Sequence, residues 1–158
     1  ELAKSVAPFC VAVAAHPEGH PDSPDLISDR RHLAEKLRLA DFGVTQFFFR
    51  VEDYLSMIED LGSMGIDKPV IPGLLPITNL KSVAKMAELS GAAVPDEVVE
   101  RIEKVSDDPE QVTKVGVDIA CELGQKLLDA GAPGLHIYTM NLSAATIQIY
   151  ENLGLASL

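Results

Sequence analysis

Four times along the chain, a short apolar run rich in aromatic and β-branched residues is followed by a longer stretch whose apolar residues recur at helical spacing. No other feature narrows the fold as much. The runs are Phe9 to Ala15, Gly43 to Phe49, Val70 to Leu75 and Gly134 to Met140. Helices are expected over Asp25 to Ala40, Val51 to Met64, Leu80 to Ser90 and Ser143 to Leu153. Two more fall between the third and fourth strands: Asp96 to Val105, and a long one from the Asp107-Asp108-Pro109 break to Ala130. Thr78 or Asn79 can cap the Leu80 helix, Pro95 suits a first turn, and Gly131 and Gly154 suit helix ends. Strands separated by helices lack hairpin connections, so the sheet is expected to be parallel and covered, with Phe9 to Ala15 a buried strand. A doubly wound sheet and a (β/α)8 barrel share this order. The first strand runs into HPEGHP, which lacks the glycine spacing of a dinucleotide-binding turn and favours the barrel. Such a barrel takes roughly 200 residues or more. Residues 1–158 are therefore expected to form one α/β body, about half of a TIM (β/α)8 barrel, with no internal linker or repeat.

Composition bounds the partners. Thirteen Lys plus Arg against 24 Asp plus Glu leave a net charge of −11, which repels nucleic acid and anionic lipid. At 47% hydrophobic residues the chain can bury a core, which excludes a disordered segment. Cys10 and Cys121 lie far apart in apolar surroundings, a pattern of buried thiols in a reducing cytoplasm rather than of a disulfide framework. The apolar stretch Val6 to Ala15 is too short to span a bilayer, and no basic signal-peptide start precedes it. Opening on Glu1 close to a strand, the sequence is expected to be part of a longer protein.

In a barrel, ligands meet the carboxyl ends of the strands. The first such place is His16-Pro17-Glu18-Gly19-His20-Pro21. Two histidines four apart suit a metal on a helix, but Pro17 and Pro21 oppose a helix and no third ligand is near, so no metal site is expected. Either the rings cap and solvate a loop, or a rigid loop presents them to a planar ligand. Downstream, Asp29, His32 and Lys36 recur on one helical face, which taken alone is an exposed charged surface. The second place is Gln46 in Val44-Thr45-Gln46-Phe47-Phe48-Phe49, where strict alternation sends Val44, Gln46 and Phe48 to one side and Thr45, Phe47 and Phe49 to the other. A primary amide in a buried strand needs partners, supplied by a ligand edge or by backbone and water. The third is Pro72 to Asn79, a stiffened turn explained by capping. At the fourth, alternation groups His136, Tyr138 and Met140, and Tyr138 either reaches a ligand or packs with its hydroxyl paired. No Ser-His-Asp order, Walker loop, CxxC or HExxH occurs. The residues by themselves stop at a ligand-binding half barrel.

Taken in order, AAHPEGHP, the D-x-x-H-x-x-x-K helix, VTQFFF, PGLLPITN, and GLHIYTMN-x-S followed by IYENLG make the chain resemble the methylenetetrahydrofolate reductase family. The resemblance covers essentially the whole chain and implies the C-terminal half of that family's catalytic barrel, without the N-terminal half. It implies an oxidoreductase that reduces 5,10-methylenetetrahydrofolate to 5-methyltetrahydrofolate with NAD(P)H through FAD, in the cytoplasmic one-carbon metabolism that feeds methionine biosynthesis. By position it assigns His16, His20, Ser23, Asp29, His32 and Lys36 to FAD: His16 in place of an aromatic residue near the flavin, Lys36 against the diphosphate, Asp29 and His32 toward polar groups. It assigns Gln46 to the folate near the nicotinamide position, Ser82 to a folate-contacting position, and Tyr138 to the active-site tyrosine of Y-T-x-N.

Two departures stand out. Leu142 occupies a position where the family often has an arginine for the folate tail, and Glu35 one that is often basic beside the diphosphate. The family's general-acid glutamate and flavin-tuning aspartate belong to the first half of the barrel, so no catalytic residue is expected here and this chain alone is expected to be inactive. Alternatives at this point are a flavin-independent reductase of the same substrate, a non-catalytic nucleotide-binding half barrel that self-associates into a homo-oligomer, and an unrelated phosphate-binding barrel enzyme.

Overall fold

The computed structural model describes residues 2–155. The elements run α1 (Leu2–Val6), β1 (Ala12–Ala15), α2 (Leu26–Leu39), β2 (Phe42–Phe47), α3 (Val51–Ser63), β3 (Val70–Leu74), α4 (Leu80–Ser90), α5 (Asp96–Glu103), α6 (Pro109–Asp129), β4 (His136–Ile137) and α7 (Ser143–Asn152). Local chemistry sets the helix ends. Asp25 caps α2 by accepting from Ser28 N–H, Asn79 caps α4 through Ser82 N–H, and Asp108 caps α6 ahead of Pro109.

The strands are all parallel and lie in the order β1-β2-β3-β4. Each crossover moves one strand further in the same direction, and right-handed crossovers of that kind place their helices on one face. A doubly wound sheet instead reverses its strand order part-way. The arrangement is an arc of (β/α) wall. Its main core lies between sheet and helices: Leu33, Ala34 and Leu37 of α2, Tyr54, Met57 and Leu61 of α3, and Leu123 and Leu127 of α6 pack with Ala15, Phe48, Val70 and Leu74. A second cluster joins Phe47, Leu75 and Ile77 to α4, α5 and α6, and a third fixes α7 on α6 through Val117, Ala120, Ala145 and Ile149. Gly116 permits the close approach of α6 to the strand end, since a Cβ there would lie 1.9 Å from the Ile77 carbonyl oxygen.

Three expectations about strands are corrected. The first strand is shorter than Phe9 to Ala15 and is not buried as a whole: Phe9 is 55% exposed, Ala12 and Ala14 are exposed, and Ala15 alone is buried within it, so the Cys10 thiol expected to be buried is exposed just ahead of the strand, while Cys121 is half-buried. Helices cover one face of the sheet, and over β1 the opposite face is bare. The fourth strand is two residues long rather than Gly134 to Met140. Tyr138 N–H still donates to Leu74 C=O at 2.8 Å, but Met140 and Asn141 then turn through left-handed conformations, φ 49° and 61°. Finally, strict alternation in β2 fails. Val44 pairs with Ile71 and Phe47 with Gly73, so β2 carries one residue more than β3 across that interval. Thr45 Oγ1 accepts the Gly73 N–H at 2.8 Å, standing in for a backbone acceptor of the ladder. The bulge separates residues expected together: Phe48 enters the helix-side core and stacks on Tyr54, whereas Gln46 and Phe47 line the same cavity.

Candidate functional site

A cavity of about 890 Å³ opens at the carboxyl ends of the strands. His16 and His20 of the β1–α2 loop, Gln46 and Phe47 of β2, Leu75 after β3 and Tyr138 after β4 line it, and α4 closes one side with Lys85, Met86, Glu88, Leu89 and Ser90. Four of the nine anticipated site residues thus meet in one place: His16, His20, Gln46 and Tyr138. The His16 and His20 rings are edge to face with centroids 4.6 Å apart. Burial, and then the neighbouring His20, lower the pKa of His16, so its imidazole is neutral near pH 7 and adds no charge to the wall. The Tyr138 hydroxyl donates to Thr45 C=O at 2.9 Å, and its ring lies edge to face with Phe47 and His136. Burial raises the Tyr138 pKa, which leaves this phenol a fixed hydrogen-bond donor. Gln46 is half-buried, and its Oε1 accepts the Phe47 backbone N–H at 3.0 Å. Because a backbone N–H can only donate, that contact fixes the amide's orientation and leaves its NH₂ group to donate elsewhere.

The other five lie outside the lining. Asp29 is buried beneath the β1–α2 loop, where Oδ1 accepts from His20 N–H at 3.1 Å and from Ser23 Oγ at 3.0 Å. Ser23 and Asp29 therefore bond each other and shape the loop that carries His20. His32 and Lys36 are exposed on α2, with Lys36 Nζ donating to Ala14 C=O at 2.8 Å. Ser82 is exposed in the first turn of α4, its N–H taken by Asn79. Leu142 is 58% exposed, and Glu35 is exposed on α2 beside Arg31 and Arg38. Among the described residues, no group of three metal-ligating side chains converges and no helix is long and apolar enough to cross a membrane.

Two residues important to the loop were not singled out from sequence. Arg30 is 2% exposed; its Nη1 donates to His16 C=O at 2.8 Å, its Nη2 to Pro17 C=O, and it pairs with Asp29 at 3.5 Å and Asp60 at 3.4 Å. The signal was available: Arg30 falls at a core position of the α2 pattern that continues with Leu33, Ala34 and Leu37. Glu18 ties the same loop to the α4–α5 connection by accepting Ala93 N–H at 2.9 Å through Oε1. Its Oε2 is buried without a partner, and burial raises its pKa.

A family model described as Methylenetetrahydrofolate reductase matches residues 1–154. The chain belongs to the methylenetetrahydrofolate reductase family. Methylenetetrahydrofolate reductase 1 of Schizosaccharomyces pombe is 37% identical over 148 residues, which is 93% of this chain and 24% of that protein. The 5,10-methylenetetrahydrofolate reductase of Escherichia coli is 36% identical over 154 residues, 97% of this chain and 52% of that protein. The chain thus spans about half the length of the bacterial reductase and about a quarter of the fungal one. An uncharacterized protein from Clostridium thermocellum, described as binding two copies of 5-methyl-5,6,7,8-tetrahydrofolic acid, shares the fold with a TM-score of 0.62 at 16% identity, over 93% of this chain and 54% of that one. The half-barrel expectation and the family resemblance are both supported by these matches.

Proposed function

We propose that this chain is the C-terminal half of the catalytic barrel of a reductase that converts 5,10-methylenetetrahydrofolate to 5-methyltetrahydrofolate with NAD(P)H, working in the cytoplasm with FAD as cofactor. The observation that carries this reading is the convergence of Gln46 and Tyr138 with the His16–His20 wall in one cavity at the carboxyl ends of the strands. Gln46 offers amide donors to an acceptor on the edge of a planar heterocycle, Phe47 and Leu75 supply apolar contact, and neutral His16 bounds the ring side without repelling a cationic nicotinamide.

The donor set suits FAD. Lys36 spends one N–H on Ala14 and keeps two for a diphosphate, His32 is exposed one turn before it, and Ala12 and Ala14 leave an open, small-residue surface on β1. FAD bound there would supply the hydride relay between nicotinamide and folate. Asp29 and Ser23 serve that site by holding His20, and Ser82 contributes from the rim of α4. No residue of this chain is assigned as general acid.

The test is on the full-length protein. A copurifying flavin that bleaches on NADH addition and recovers with 5,10-methylenetetrahydrofolate is expected, and Gln46→Ala should weaken folate binding about tenfold, the worth of one buried hydrogen bond. Folate-dependent NADH oxidation by a flavin-free preparation would replace the cofactor reading with a flavin-independent reductase. The 158-residue chain alone should show no turnover; enzyme-dependent product from it would overturn the half-barrel assignment.

A further inference from the structure

Lys85 is the one Lys or Arg among the residues lining the cavity, in a chain where cations are outnumbered 13 to 24. It is exposed on α4, and among the described residues no ion pair holds it. Glu88, three residues on and lining the same wall, is placed to neutralise it on a helix surface, yet the two do not pair. Besides the carboxylates of Glu88 and Asp22, the lining includes apolar Met86 and Leu89 from the same helix and Met140. A cation beside an apolar wall fits a ligand that is flat at one end and anionic at the other. Leu142, exposed after β4, has no charge to offer that anion.

Resting on the folate reading above, we infer that Lys85 anchors the carboxylates of the folate's glutamate tail. An ammonium is a point charge on a flexible stem, so it follows a mobile polycarboxylate without demanding the fixed bidentate geometry of arginine. Glu88 repels the same carboxylates and limits how far the tail runs along α4. Lys85 and Glu88 together set a preference for tail charge.

Dissociation constants for the full-length protein decide this, measured with 5-methyltetrahydrofolate, its triglutamate, and a tetrahydropterin lacking the tail. Lys85→Met should weaken both tailed ligands about fivefold at low salt, the triglutamate more, and leave the pterin unchanged. Glu88→Gln should tighten the tailed ligands, a gain no folding defect would mimic. Equal loss for pterin and folate, or no loss for either, would overturn the assignment. A wild-type protein that binds all three while Lys85→Met is indifferent sinks Lys85 alone. A wild-type protein that binds none sinks the folate reading with it.

Discussion

At Arg30 a guanidinium occupies a core position of α2 and spends its N–H groups on the carbonyls of His16 and Pro17 and on the carboxylates of Asp29 and Asp60. Arg30→Met leaves the His16 and Pro17 carbonyls and the buried Asp29 carboxylate without the guanidinium, and should cost about 3 kcal/mol in urea denaturation. Arg30→Lys should recover only part, because one ammonium cannot reproduce the fork. Glu18 yields a pH-dependent prediction. Its folded pKa is raised above the ordinary 4.5, so the unfolded chain ionises first and stability falls as pH rises from 4.5 through the folded value. Glu18→Gln keeps the oxygen that accepts Ala93 N–H and removes the buried charge. Its urea midpoint should exceed that of the wild type at pH 7, and the gap should close below pH 4.5. Strand-end position made His16, His20, Gln46 and Tyr138 candidates, and the family resemblance gave each of them a ligand. Helical spacing made Asp29 part of an exposed charged face, whereas it is buried as the acceptor that folds the loop, because its partners are a backbone N–H nine residues back and a hydroxyl six residues back.

Helices proved easier to read than strands, for a physical reason. α4 spans the expected Leu80 to Ser90, because Asn79 at its start and the left-handed Gly91 at its end are local chemistry. Strand ends depend on the neighbour. β4 has β3 on one side only, and the length of β2 includes a bulge at which a hydroxyl pairs across strands, which periodicity along one strand does not register. Contacts between elements show the same thing at Gly116. Alanine there would gain about 1 kcal/mol of helix propensity, yet its Cβ would meet the Ile77 carbonyl, so Gly116→Ala should destabilise by about 3 kcal/mol in the same denaturation assay. Gly62→Ala is the control: no atom lies within 4 Å of its Cβ, and the change should stabilise α3 by about 0.5 kcal/mol.

For the whole molecule, one arc of parallel strands with helices on one face has two free edges, and over β1 the uncovered side shows Ala12 and Ala14. α7 adds Ile147 and Tyr150, exposed at 51% and 45% one turn apart. The 158-residue chain on its own should therefore self-associate in sedimentation velocity, and Ile147→Glu with Tyr150→Lys should shift it toward the monomer. A wild-type chain that stays monomeric at high concentration would contradict this. The architecture was legible because four βα alternations without hairpins leave few arrangements. The cavity's composition was not, since α4 brings Lys85, Met86 and Leu89 to Gln46 only through the fold. The extra residue in β2 has an evolutionary corollary. An in-frame loss of the Thr45 codon would give the two strands equal length there, remove the hydroxyl that accepts Gly73 N–H, and turn Gln46 to the other face of the sheet. A descendant carrying that lesion would still look like its kin in sequence, while its cavity lacked the amide.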